Sequence, residues 1–156
     1  MGKEHGLKTK DESSGNLRAT ASIAISRDGL TNAMKNILIV NNDLGFIFWL
    51  GAALIEAGYR AWPACSTSEA ISVVGRKSLG RLHLLIVNAS LPGVSKLIAR
   101  LRRLQPHLNV MALGPQGNTL HGVNSFQPKP GLIDDAAKQE WLRAVKEMFG
   151  KQNRAA

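Results

Sequence analysis

The chain has 156 residues, 44% of them hydrophobic, and a formal charge of +9. That composition excludes a wholly disordered chain and leaves room for one domain with a real core. The longest near-continuous apolar run, Leu44 to Ile55, is too short to span a bilayer. With no apolar signal region at the start and a single Cys65, the expectation is a cytoplasmic protein that does not insert into membranes.

Residues 1–33 carry five basic and four acidic side chains and are rich in Lys, Ser, Gly, Thr and Asn. The segment KTKDESSGN offers almost nothing to bury, so 1–33 reads as a disordered extension. ATASIAISRDGL is at most a short strand or helix. Met34 runs directly into KNILIV, and the folded domain is placed at 34–150, with 151–156 as a tail.

From Lys35 onward, apolar β-rich runs alternate with helical segments. NILIV (36–40) reads as a buried strand, and LGFIFWLGAALIEAG (44–58) as a helix ending near Gly58. YRAWPA (59–64) is a short strand weakened by Pro63. STSEAISVVGR (66–76) opens a second helix, with Ser66 and Glu69 spaced as a capping box. LHLLIVNA (82–89) is another buried strand. VSKLIARLRRL (94–104) is a helix stopped by Pro106, and NVMALG (109–114) is a strand. Only ten residues, Pro115 to Asn124, separate it from SFQPKP (125–130), and three of them are helix breakers. A helix in that gap is therefore shortened or missing. DDAAKQEWLRAVKEMF (134–149) closes the chain as a helix with acids at its positive end.

Such alternation implies an α/β fold with a doubly wound parallel sheet, whose site lies beyond the carboxyl ends of the strands. The residues delivered there are Asn41, Asn42 and Asp43 after ILIV, Asn88 after LLIV, Gly114 after VMAL and Lys129 after SFQP. In order, ILIVNND, EAGY, SEA, LLIVNASLPG, LRRLQPHLNVMAL and FQPKP resemble the receiver domain of two-component response regulators. The resemblance covers Lys35 to about Phe149. It implies a five-stranded, flavodoxin-like sheet.

That family transfers a phosphoryl group from a histidine kinase to an aspartate. An acidic pair holds Mg²⁺, a Ser or Thr switches, and a Lys contacts the phosphoryl group. By resemblance the acidic pair falls on Asn41 and Asn42, the acceptor on Asn88 and the switch on Gly114. Only Lys129 matches, while Asp43 survives beside the pair. Mg²⁺ favours carboxylate oxygens, so its binding is expected to be lost or weak. An amide is also a poor nucleophile, so no phosphoryl transfer and no enzymatic role are expected. Three readings of the pocket stay open: a relic, a module that signals without phosphate, or an anion site around a Lys129 left without anionic partners.

Two further features bear on partners. On the first helix, Phe46, Trp49, Leu50, Ala53 and Leu54 suit the face toward the sheet. Phe48, Ala52 and Ile55, with Ile47 nearby, form an apolar outer face. Either the extension, through ASIAI, covers that face, or a partner does. Between Glu69 and Asp134 there are eight basic residues and no acidic one, either a solvated surface or an attraction for nucleic acid or an acidic partner. His83, within a strand, reads as structural, and His107, His121 and Cys65 lack metal or catalytic spacing. With only seven residues after Phe149, no output domain is expected. The reading is a receiver-like, bacterial signalling protein working by protein–protein contact without aspartyl phosphorylation. Its partner is a histidine kinase, a phosphotransfer protein or another copy of itself. The alternative is a basic nucleic-acid-associated α/β domain.

Overall fold

β1 (Asn36–Val40) is buried along its whole length, as a central parallel strand requires. Its side chains alternate between two layers. Leu38 and Val40 join Leu85, Val87 and Val110 on one face, while Ile37 and Ile39 join Leu84, Ile86, Met111 and Leu113 on the other. The computed structural model describes residues 35–114 and 120–155. The expectations for 1–33, including the cover by ASIAI, lie outside the described residues.

The remaining strands are β2 (Arg60–Ala64), β3 (Leu84–Asn88), β4 (Asn109–Leu113) and β5 (Ser125–Gln127). All pairings are parallel, in the order β2-β1-β3-β4-β5. Four helices flank the sheet among the described residues: α1 (Leu44–Glu56), α2 (Thr67–Val74), α3 (Val94–Leu104) and α4 (Asp135–Ala155). α1 and α4 cover one face with Phe46, Leu50, Leu54, Trp141, Val145 and Phe149. α2 and α3 cover the other with Ala70, Val73, Leu97, Ile98 and Leu101. This is the doubly wound arrangement expected from the alternation, and the five-stranded, flavodoxin-like sheet that the resemblance implies. None of these helices is long and apolar enough to cross a membrane.

Among the described residues no helix lies between β4 and β5. Leu120 and Val123 pack on the α2–α3 core in its place. Asn124 ties the connection down: its Oδ1 accepts from the Val110 N–H at 2.8 Å and from Arg102 Nη2 at 2.7 Å.

Local chemistry sets the boundaries. Ser66 caps α2 by accepting from the Glu69 N–H at 3.1 Å, and the Glu69 carboxylate reaches back to the Cys65 N–H at 3.0 Å. β5 stops at Gln127, short of the expected 130, because Pro128 and Pro130 have no N–H to donate to a ladder. α4 runs to Ala155 and so takes in most of the segment assigned to a tail.

One buried polar residue organises the opposite end of the sheet. Asn36 heads β1 and is 5% exposed. Its Nδ2 donates to the Leu79 and Arg81 carbonyls, both at 2.7 Å, and its Oδ1 accepts from Trp62 Nε1 at 3.1 Å. Its backbone N–H donates to His83 Nδ1 at 3.0 Å. His83 therefore precedes β3 rather than lying within it, and its acceptor nitrogen is structural.

Candidate functional site

Parallel strands deliver their last residues to one edge of the sheet, and that edge gathers the residues singled out above. β1 ends at Val40, and Asn41 follows, 1% exposed. Its Oδ1 accepts from Asn88 Nδ2, at the end of β3, at 3.1 Å. The same oxygen accepts from the Asp43 N–H at 3.2 Å. Asn88 in turn uses its Oδ1 to accept from the Ser90 N–H at 2.9 Å, which shapes the loop beyond β3. One amide thus donates to the other, and their oxygens satisfy two backbone donors, as polar groups withdrawn from water require. Asn42 points outward and is exposed.

Asp43 has two tasks. It is the N-cap of α1, accepting from the Phe46 N–H at 3.2 Å through Oδ1. Its other oxygen, Oδ2, is paired with the Lys129 ammonium from the segment after β5. The side-chain hydrogen bond from Lys129, followed by the Phe46 N–H, holds the Asp43 carboxyl below its usual range. Lys129 is therefore not left without an anionic partner, which corrects the premise of the anion-site reading, one of the three left open by the sequence. The contact spans 86 positions of the chain, and no local pattern encodes it.

Gly114 lies beyond β4, and its N–H donates to the Gln127 carbonyl at 3.2 Å. Its φ of +153° is one that side chains rarely adopt. A hydroxyl-bearing residue there requires the backbone to turn.

The oxygens on this edge are largely spent. Asn41 Oδ1 carries two donors, Asn88 Oδ1 one, and both Asp43 oxygens are engaged. Among the described residues no group of three His, Cys, Asp or Glu side chains is placed to hold a metal. Cys65, after β2, is exposed. Its thiol is pushed up, by desolvation first and then by the Glu69 carboxylate, the reverse of an activated nucleophile.

The second candidate region is the outer face of α1. Phe48 and Ile55 are 68% and 61% exposed, and Ala52 lies between them on the same side. Ile47 does not belong to that exposed face: it is 2% exposed and packs on the sheet. The seating of α1 over Ile39 and β2 turns it inward, and it contributes only to the wall of a groove of about 270 Å³ with Ile39, Phe48, Ile55, Ala61 and Pro63. Leu44, 51% exposed, extends the apolar stripe by one turn. The spacing 44, 48, 52, 55 carries that signal, which the sequence reading missed.

Among the solved structures that resemble this chain are receiver domains. The chain is similar to a response regulator receiver domain protein (CheY-like) from Methanospirillum hungatei JF-1, at 19% identity and a TM-score of 0.64, over 78% of this chain and 98% of that one. A response regulator receiver domain protein from Clostridium thermocellum matches at 14% identity and a TM-score of 0.62, over 79% of this chain and 100% of that one. The signal receiver domain of an HD domain-containing protein from Pseudomonas fluorescens Pf-5 matches at 20% identity and a TM-score of 0.61, over 78% and 90%. No protein-family model and no curated protein sequence matches the chain. At these identities the likeness shows the fold.

Proposed function

We propose that this chain is a receiver-like signalling module of the two-component or phosphorelay type, acting by protein–protein contact without aspartyl phosphorylation. The observation that carries the reading is the amide pair. Asn88 stands where a receiver places its phosphoacceptor, and its Nδ2 donates to Asn41, at one of the acidic-pair positions. An amide nitrogen delocalises its lone pair into the carbonyl and points N–H bonds, not a free pair, at an approaching phosphorus.

The same chemistry argues against Mg²⁺. The ion demands near-octahedral oxygen ligation and favours carboxylates. The pocket offers neutral amide oxygens that already accept hydrogen bonds. Its one carboxylate, Asp43, is neutralised by Lys129. The internal ammonium does the work of a counter-ion, so Mg²⁺ binding is lost or weak. Gly114 supplies no hydroxyl to follow a phosphoryl group, and among the described residues no helix lies between β4 and β5 to act as a relay element beside it.

The contact surface in this reading is the outer face of α1, built by Leu44, Phe48, Ala52 and Ile55. A histidine kinase, a phosphotransfer protein or a second copy of this chain is the partner. Titration with Mg²⁺, followed through the side-chain amide resonances of Asn41 and Asn88, tests the pocket. The expected result is no saturable shift. Saturation at the affinity of ordinary receivers would overturn the reading.

A further inference from the structure

A groove of about 460 Å³ runs between α2 and α3, away from both the strand-end pocket and the outer face of α1. One wall carries Lys96, Arg100 and Arg103 on successive turns of α3. Ile71, Leu97 and Ala99 add apolar surface. Lys96, Arg100 and Arg103 are directed away from the core and have no ion pair or hydrogen bond among the described residues. Arg102, on the same helix, differs: it is spent on the Leu108 carbonyl and Asn124 Oδ1. No carboxylate lines the groove.

The groove is also held open by fixed contacts. Thr67, the first residue of α2, donates its hydroxyl to the Pro92 carbonyl at 3.0 Å, which joins α2 to the loop that leads into α3. Gly93 caps α3 with φ +77°, and a Cβ there would stand 3.3 Å from Thr67 Oγ1. The two helices therefore meet at a fixed junction, and a ligand meets a preformed cleft.

We propose that this groove docks an acidic amphipathic helix from a protein partner. The cations at 96, 100 and 103 span about 10 Å along α3 at 1.5 Å per residue. Carboxylates on successive turns of a second helix repeat at the same interval. The apolar surface takes that helix's apolar stripe, the usual mode for a helix in a groove. A phosphodiester backbone satisfies the cations but leaves Ile71 and Ala99 without apolar cover. The groove has no aromatic side chain for a base to stack on. The groove lies on a different face from the strand-end pocket and shares none of its polar residues, so docking there does not depend on the chemistry of that pocket.

The test uses the full chain and a labelled, end-capped peptide of about 18 residues, long enough to hold a helix alone. Glu occupies successive turns on one side of the peptide and Leu the adjacent stripe. Binding is followed by fluorescence anisotropy at low and high salt. The account expects saturable binding, weakened by salt. Affinity falls roughly tenfold in Arg100→Glu, since reversal removes one attraction and adds one repulsion. It falls also in Ala99→Glu, which places bulk and charge in the cleft, but not in Arg143→Glu, an exposed control on α4. Circular dichroism confirms that each variant is folded. No binding, equal loss in the Arg143→Glu control, or tighter binding of a duplex oligonucleotide of matched charge that is itself lost in Arg100→Glu would each overturn the proposal.

Discussion

Asn88 Nδ2 lies 3.1 Å from Asn41 Oδ1, so the side chain after β3 donates directly to the side chain after β1. A carboxylate at position 88 has no hydrogen to give. The pair is therefore a matched donor and acceptor, and neither member carries a charge.

Asn88→Asp tests that match. The new carboxylate faces Asn41 Oδ1 without a proton between them and leaves an acceptor opposed to an acceptor. Urea unfolding should show a loss of about 1–3 kcal/mol. Asn88→Ala, which removes the donor without adding an opposed oxygen, should lose less. Equal stability of Asn88→Asp and the natural chain would mean that the amide pair holds nothing.

The Asp43–Lys129 pair predicts an acid limb. Because the folded Asp43 carboxyl is held below the ordinary value of 3.8, its contribution is complete above that value. It is lost as pH falls through the folded pKa. Lys129→Met removes the first of the causes, so acid unfolding should lose part of its pH dependence below pH 4 while α1 keeps its cap. Asp43→Asn retains a good N-cap and should be milder than Asp43→Ala. An unchanged acid profile in Lys129→Met would contradict the pairing.

His83 predicts a second, higher window. Burial first, then the charges of Lys35 and Arg81, lower its pKa from 6.5. Its Nδ1 must stay unprotonated to accept the Asn36 N–H. The unfolded chain binds the proton more readily, so stability is full above about pH 6.5 and falls as pH drops below it toward the lowered folded value. His83→Asn places an acceptor oxygen near the same point and does not titrate there. Its stability should be flat across that window, and a retained slope would assign the effect to another group.

Phe48→Glu tests the outer face of α1. With 68% of Phe48 already exposed, the substitution should change stability by less than about 0.5 kcal/mol. Association with a partner or a second copy, read by light scattering or titration, should be abolished. Unchanged association would remove α1 from the contact surface.

Much of this architecture was legible in the order of residue types. α3 occupies the span 94–104 that its apolar spacing and Pro106 indicate. The Ser66–Glu69 box does open α2, and the three breakers between 115 and 124 foretold the helix missing among the described residues there. Periodicity could place Phe48 and Ile55 outside but could not turn Ile47 inward, because that depends on where α1 sits over Ile39 and β2. The Lys129–Asp43 pair was illegible for a different reason. It is set by the reach of two side chains from segments 86 positions apart, and neither carries a local signature. Asn36 did leave a trace, an amide at the head of an otherwise apolar strand, but its partners come from loops that pattern alone does not bring together.

The central claim is that this pocket does not take up a phosphoryl group. Its most direct measurement is intact-protein mass spectrometry after incubation of the full chain with a small phosphodonor and Mg²⁺, beside an ordinary receiver domain treated in parallel. The account predicts a phosphoryl adduct on the ordinary receiver and an unchanged mass for this chain. A stable adduct mapped to Asn88, or one at Asp43 that disappears when Mg²⁺ is withheld, would contradict it.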